Sequence, residues 1–334
     1  MRMTVVLPVR NGIDVLPRCV EALERSVVPC AEWDLVVVDD GSTDGSGAWA
    51  EARGLKVRRV EHGPKGPAAA RNLGAEGARG EVVVFVDADV CLAPDALGRF
   101  GRLFEARPDL GAAFGVYDDR PDVPGFFSQY RNLYHRYVHL RGNGPAETFW
   151  AGCGAVRREV FEACGTFDEV RYRRPQVEDI DLGYRIRAAG WKIELDASIE
   201  CRHLKTWSLA TIVHTDLFDR GIPWMRLLME GRNRLSLNVR GPERLRTAAV
   251  GLAAAMIPFS VLAGAPALYA LALGVLFLVV LTNVDLYRWF AAQRGWVFAL
   301  GVVFMNLLYY LTASTAAALG LLLHLGMHRP GAAR

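Results

Sequence analysis

Val82-Val83-Val84-Phe85-Val86-Asp87-Ala88-Asp89 is an unbroken apolar run, mostly β-branched, that ends in two carboxylates two positions apart. Such a run reads as a strand buried on both faces, the kind found inside parallel sheets. An earlier run, Leu35-Val36-Val37-Val38, ends the same way in Asp39-Asp40-Gly41-Ser42. Two strands that both deliver acid at their carboxyl ends place it along the edge where open α/β sheets bind ligands. Residues i and i+2 at a strand end can both reach one ion while the residue between turns away, and Ala88 suits that middle position. Two carboxylates together with diphosphate oxygens make the hard, all-oxygen environment preferred by Mg2+ or Mn2+. The competing reading has Asp89 capping a turn and Asp87 in solvent. The layout points to a nucleotide-sugar site.

Outward from this run, strand and helix patterns alternate, as a parallel sheet with crossover helices requires. Thr4-Val5-Val6-Leu7-Pro8 opens the chain as a strand, and Ile13, Leu16, Val20, Leu23 and Val27 then recur at helical steps. Residues 56–60 read as a weaker strand and 67–78 as a helix with Pro67 in its first turn. Leu97, Phe100 and Leu103 mark another helix after Pro94.

The 334 residues are 51% hydrophobic with a mean hydropathy of +0.15, too apolar for an ordinary soluble enzyme. The excess lies at one end: no charged residue occurs from Thr247 to Leu281 or from Val297 to Leu323. The first uncharged run is too long for one span of about 20 residues and suits two, with Gly264-Ala265-Pro266 as the hinge. The expected organisation is a head over 1–205, amphipathic interfacial helices over 206–246, and three membrane spans near 247–264, 266–283 and 297–323.

Met1-Arg2-Met3 runs straight into the first strand, so the head is expected to stay on the cytoplasmic face of the membrane. Between Arg202 and Arg246 nine Lys or Arg stand against four Asp or Glu, in line with the positive-inside tendency. Arg288 and Arg294 would also lie inside, whereas Arg329 and Arg334 would face outward against the rule. The six cysteines, 19, 30, 91, 153, 164 and 201, show no CxxC spacing and suit a reducing compartment.

Five segments, in order, resemble family 2 glycosyltransferases of the GT-A fold over residues 3–235. They are Val6-Leu7-Pro8-Val9-Arg10-Asn11-Gly12; Val37-Val38-Asp39-Asp40-Gly41-Ser42-Thr43-Asp44-Gly45; Pro67-Ala68-Ala69-Ala70-Arg71-Asn72-Leu73-Gly74; Asp87-Ala88-Asp89; and Glu178-Asp179-Ile180-Asp181-Leu182-Gly183-Tyr184-Arg185 ahead of Gly190-Trp191. The resemblance implies an α/β, Rossmann-like nucleotide-diphospho-sugar transferase domain followed by C-terminal transmembrane helices. By position it implies that Pro8, Val9 and Asn11 line the nucleotide pocket and that Asp40, rather than Asp39, accepts a hydrogen bond from the base. Arg71 is implied as a base or phosphate contact, against a structural ion pair with the Asp39-Asp40 loop. Asp87, Ala88 and Asp89 carry the metal and diphosphate.

Glu178-Asp179 sits at the start of a helix running to Gly190, over exposed N–H groups that favour negative charge. In the resembled family the aspartate of this pair takes the proton from the acceptor hydroxyl, which forces inversion at the anomeric carbon; helix stabilisation alone is the bland alternative. Phe149-Trp150-Ala151-Gly152 resembles the segment beside the donor sugar, with Gly152 admitting substrate to the backbone and Trp150 either stacking on sugar or packing in the core. His203 follows the strand Ile199-Glu200-Cys201-Arg202 and resembles a histidine that meets metal or diphosphate, with Arg202 and Lys205 as neighbouring cations.

Residues 126–140 and 209–235 interleave aromatic, aliphatic and basic residues at helical spacing, the second broken by Pro223. Both suit a membrane interface, and for the first, packing on the sheet is the competing account. Nucleic acid is excluded as a partner: net charge is only +3, and no recognition helix or stacking sheet accompanies the basic excess. The processive synthases of the resembled family carry a Gln-x-x-Arg-Trp segment, where this chain reads Arg220-Gly221-Ile222-Pro223-Trp224-Met225-Arg226. The expected reaction is therefore an inverting transfer of one sugar, from a UDP- or GDP-linked hexose to a hydroxyl of a lipid-type acceptor presented at the bilayer surface. The alternatives are transfer to polyprenyl phosphate and an inactive membrane scaffold.

Overall fold

Residues 1–28, 32–231 and 241–327 are described by the structure, a computed structural model. Two compact units divide the chain, Met1–Thr206 and Trp207–Arg334. In the first, the strands are β1 (Arg2–Val9), β2 (Glu32–Asp39), β3 (Lys56–Arg59), β4 (Val82–Val86), β5 (Val90–Leu92), β6 (Leu110–Tyr117), β7 (Gly144–Ala146), β8 (Cys153–Arg157) and β9 (Lys192–His203). The helices are α1 (Leu16–Glu24), α2 (Ser46–Ala52), α3 (Pro67–Ala75), α4 (Ala96–Ala106), α5 (Phe126–Arg141), α6 (Arg158–Ala163) and α7 (Glu178–Ala188).

One sheet holds all nine strands in the order β3-β2-β1-β4-β8-β6-β9-β5, with β7 also on β9. Both β4 and β6 are buried along their whole length, as their uninterrupted apolar sequences require. Each fully buried Val or Phe of β4 contributes about 1.5–3 kcal/mol. Phe85 meets the rings of Phe161 and Phe167 edge-on or tilted, at 5.4 and 5.1 Å between centroids.

The expected all-parallel sheet is mixed. β8 runs antiparallel between β4 and β6, and β5 and β7 run antiparallel to β9. An apolar run reports burial on two faces but not direction, so this reversal has no mark in the sequence. It matters for the site, because Val86 pairs with Cys153 and so brings 150–152 to the carboxyl end of β4. The first helix is also shorter than its periodicity suggests: Ile13 and Val27 lie outside it, and Val27 is 60% exposed.

The aromatic and basic stretch at 126–140 is α5, and it packs on the sheet. Arg136 donates to the Tyr117 carbonyl and to Glu200, and His139 Nδ1 lies 3.1 Å from the Gly115 carbonyl. The competing account of this stretch, given from its sequence, is the one the contacts support.

The second unit begins with α8 (Leu209–His214), capped by Ser208 and Thr211, then a π-helical stretch (Thr215–Gly221) and α9 (Ile222–Met229). Pro223 occupies the first turn of α9, where its missing N–H costs nothing, and the expected break is the π-helical stretch before it. Arg232, Arg234 and the rest of 232–240 lie outside the described residues, as do Cys30, Arg329 and Arg334.

Four helices complete this unit: the apolar α10 (Gly241–Leu262), α11 (Pro266–Leu281) and α13 (Trp296–Met327), and between the last two the more polar α12 (Val284–Arg294). The stretches expected as spans, near 247–264, 266–283 and 297–323, fall on α10, α11 and α13. Two helices, Gly241–Leu262 and Trp296–Leu325, are long and apolar enough to cross a membrane; α11 qualifies only jointly with α12, across a 55° bend. The 16 residues of α11 rise about 24 Å, short of a hydrocarbon core of about 30 Å. Polar side chains, from buried to exposed, join the four helices. Arg246 donates to the Thr282 carbonyl, Tyr310 Oη meets Glu243 and Asn283, and Tyr287 donates to Asn306.

Candidate active site

The carboxyl ends of β1, β2, β4 and β9 and the start of β8 meet at one edge of the sheet, and the singled-out residues of the first unit gather there. Asp87 and Asp89 follow β4, each side chain about a third exposed. Arg71, on α3, is almost fully buried and donates to Asp87 Oδ1 at 2.7 Å and to Glu178 Oε1 at 2.8 Å. The competing structural reading paired it with the Asp39-Asp40 loop, and the carboxylates it meets are Asp87 and Glu178 instead. Burial works against the Arg71 charge, but the carboxylates of Asp87 and Glu178 outweigh it and raise its pKa, so the group stays a cation. Its Nε is buried with no hydrogen-bond partner.

Glu178 and Asp179 are the first two residues of α7. Glu178 is buried; besides Arg71 it accepts from the Gln176 N–H. Asp179 accepts from the N–H of Ala151 at 3.2 Å and from that of Ile180. Burial, and next the Glu178 charge, push the Asp179 carboxyl up to about 7, against the pull of Arg71. A carboxylate with that pKa is matched to taking a proton near neutral pH. α7 can lie this close because residue 183 is glycine: a Cβ there would sit 2.4 Å from the Phe149 nitrogen. Asp181, read as a helix-start acid, is buried and paired with Arg185.

His203 ends β9. Its Nε2 lies 3.3 Å from Asp89 Oδ2, its Nδ1 2.7 Å from Asn132 Oδ1, and its ring stacks on Tyr117 at 4.7 Å. Burial pushes the Asp89 carboxyl up, but His203, and less strongly Lys205, outweigh it and hold it below the usual carboxylate range. Lys205 is exposed, whereas Arg202 is committed to Asp118 through two hydrogen bonds. Among the described residues no three His, Cys, Asp or Glu side chains are gathered to hold a metal. Asp87 and Asp89 fit Mg2+ or Mn2+ as two hard oxygen donors whose remaining ligands come from a diphosphate and water, not as a closed cage.

The nucleotide-side loops are knitted to one another. Asn11, in the left-handed region at φ +51°, donates its N–H to Ser42 and accepts from the Thr43 N–H, while Val9 is buried and Pro8 partly exposed. Asp40 accepts from the N–H groups of Lys65 and Gly66, and Asp39 from that of Ser42. Asp44 binds Ile13 and Ser46, starting α2 as its sequence position suggests. Trp150 packs among Tyr117, His135 and His139, and its indole fills the space a Cβ would take at Gly152. The glycine thus admits the tryptophan.

The sequence reading passed over Asn132 and Gly183. The spacing of Asn132, His135, Arg136 and His139 on one helical face was a signal for the first; a glycine inside a helical pattern, five residues after Glu178, was one for the second.

Residues 4–165 match the family model described as Glycosyl transferase family 2. A poly(ribitol-phosphate) beta-glucosyltransferase of Bacillus spizizenii is 33% identical over 107 residues, 30% of this chain and 17% of the relative. An undecaprenyl-phosphate 4-deoxy-4-formamido-L-arabinose transferase of Pseudomonas fluorescens is 31% identical over 175 residues, 48% of each chain. This chain spans less than half the length of either. Among solved structures, a mannosyltransferase of Pyrobaculum calidifontis in complex with GDP-Man and Mn2+ shares the fold at TM-score 0.57 and 19% identity, over 98% of this chain and 88% of that one.

Proposed function

We propose, for a chain whose residues 4–165 belong to glycosyl transferase family 2 and whose first unit folds as a GT-A-like domain, an inverting transfer of one hexose from a UDP- or GDP-sugar to a hydroxyl of a membrane lipid-type acceptor. The observation that carries it is the single guanidinium of Arg71 joining the Asp87 end of the site to the Glu178-Asp179 end. Donor phosphate and acceptor hydroxyl must meet on opposite sides of one sugar carbon, and this bridge holds together the two groups that serve them.

Asp87 and Asp89, with His203 beside them, would hold the divalent ion, which when bound neutralises the charge of the departing diphosphate. Asp179 takes the proton of the acceptor hydroxyl as its oxygen bonds to the anomeric carbon. The carbon–oxygen bond to the diphosphate breaks with its electron pair, and nucleoside diphosphate leaves from the opposite face. Asp39, Asp40, Pro8, Val9 and Asn11 form the nucleotide end, Lys205 adds positive charge beside Asp89, and Trp150 with Gly152 borders the sugar.

The apolar helices of the second unit support a membrane-held protein, and the basic excess over 202–246 supports a head on the cytoplasmic face. A second reading, transfer to polyprenyl phosphate, is favoured by the name of the Pseudomonas relative. Such an acceptor is already anionic and needs no base, so an Asp179 raised to about 7 favours the hydroxyl.

The test is release of nucleoside diphosphate by the full chain in lipid nanodiscs, with Mn2+, across a panel of nucleotide sugars and with lipid extract or polyprenyl phosphate as acceptor. Turnover of a UDP- or GDP-hexose with the extract supports the reading. Turnover only with polyprenyl phosphate replaces it by the second, and turnover of no donor contradicts both.

A further inference from the structure

His203 is held from three sides by groups with different chemistry. Tyr117 covers one face of the ring at an interplanar angle of 7°, Asp89 Oδ2 stands 3.3 Å from Nε2, and Asn132 Oδ1 stands 2.7 Å from Nδ1. The stack fixes the plane of the ring, but a half-turn about the Cβ–Cγ bond keeps that plane and puts a ring carbon where Nε2 faces Asp89. The hydrogen bond from Nδ1 to Asn132 Oδ1 holds the ring against that flip.

Asn132 comes from α5, on which the helical spacing 132, 135, 136, 139 directs four polar side chains at β6 and β9. Three of them have places in the packing: His135 against Tyr117 and Trp150, Arg136 on Glu200, and His139 on the Gly115 carbonyl. The fourth is odd. Asn132 is 2% exposed, its Oδ1 is used on His203, and its Nδ2 is buried with no hydrogen-bond partner. Leaving such a donor unsatisfied costs about 1–3 kcal/mol, and a leucine, apolar and of similar size, would carry no such cost. Stability does not explain an amide here. A function that requires hydrogen bonding to Nδ1 does.

We propose that Asn132 is a positioning residue: it fixes the ring of His203 and, through Nε2, the Asp89 carboxylate, so that the Asp87-Asp89 pair is set for a divalent cation bound with a nucleoside diphosphate. This rests on the transferase reading above for the cation and the diphosphate, and adds to it a residue that touches neither. The outer partner of a metal-site histidine commonly accounts for 10–100-fold in metal affinity.

The experiment is titration of Mn2+ into the full chain in nanodiscs with saturating UDP or GDP, followed by the loss of the free-ion electron paramagnetic resonance signal, which needs no turnover. Wild type, Asn132→Leu, Asn132→Gln, His203→Ala and the Asn132→Leu/His203→Ala double variant are compared. Asn132→Leu is expected to weaken Mn2+ binding at least 10-fold, and the double variant to bind no more weakly than His203→Ala, because Asn132 acts only through the ring. Asn132→Gln keeps the amide and serves if the leucine variant does not fold; with its longer stem it is expected to lose less. Wild-type affinity in Asn132→Leu, or losses that multiply in the double variant, would overturn the proposal and leave the transferase reading intact. Absence of Mn2+ binding by the wild type itself would overturn both.

Discussion

Arg71 Nη1 donates to Glu178 Oε1 at 2.8 Å across 107 residues of sequence, both side chains being about 5% exposed. α3 and α7, which carry them, come from the two halves of the first unit's chain, so the pair ties the halves together at the site. Removing one partner of such a buried pair leaves the other charge uncompensated, at a cost of about 3–5 kcal/mol. Arg71→Met is expected to lower the stability of the full chain by about that amount in urea unfolding followed by tryptophan fluorescence. Arg71→Lys, a point charge in place of a fork, should recover part of the stability and little of the activity.

As the proposed base, Asp179 should give the reaction its pH dependence. With its carboxyl raised to about 7, the rate at saturating substrate should climb as pH rises through about 7, since only the ionised form accepts a proton. Stability moves the other way. A carboxyl whose pKa is higher folded than its unfolded value of about 3.9 contributes stability that is complete below about pH 4 and is lost as pH rises through about 7. Glu178→Gln removes a charge that raises Asp179, so the rising limb of the rate profile should move toward acid; an unmoved limb would show that burial alone sets it.

Asp87→Asn and Asp89→Asn should each lower turnover at least 100-fold, and EDTA should abolish it with recovery on adding Mn2+. The two variants differ in structural effect. Asp87 compensates Arg71, so Asp87→Asn should also lower the unfolding temperature, whereas Asp89→Asn, whose carboxylate faces a histidine at 3.3 Å and no buried guanidinium among the described residues, should leave it nearly unchanged.

Gly183→Ala tests how α7 is seated. Its new Cβ would lie 2.4 Å from the Phe149 nitrogen, so the helix must shift or the 148–151 segment must move. Overpacking of this kind costs about 1–3 kcal/mol. Because Asp179 is bonded to Ala151 in that same segment, turnover should fall more than the stability loss explains, measured as kcat at a temperature where the variant remains folded.

Much of this site is legible in the sequence because strand ends and helix starts leave local marks. The run Val82–Asp89 reads as a central strand with acid at its end, and Glu178-Asp179 as the start of a helix. What is not legible depends on direction and partnership. The reversal of β8 leaves no trace in an apolar run, yet it is what sets Ala151 against Asp179 and Trp150 over Gly152. The structural alternative for Arg71 was an ion pair with the Asp39-Asp40 loop, while its partners are carboxylates 16 and 107 residues away. Composition marks 247–281 and 297–323 as uncharged but does not reveal that α11 is short and joins α12 across a 55° bend.

The anomeric configuration of the transferred sugar, read from one-bond carbon–hydrogen coupling in the isolated product, tests the central claim most directly. An Asp179 that activates the acceptor on the face opposite the diphosphate predicts a product whose configuration is opposite to that of the donor. Retention of the donor's configuration would contradict the account.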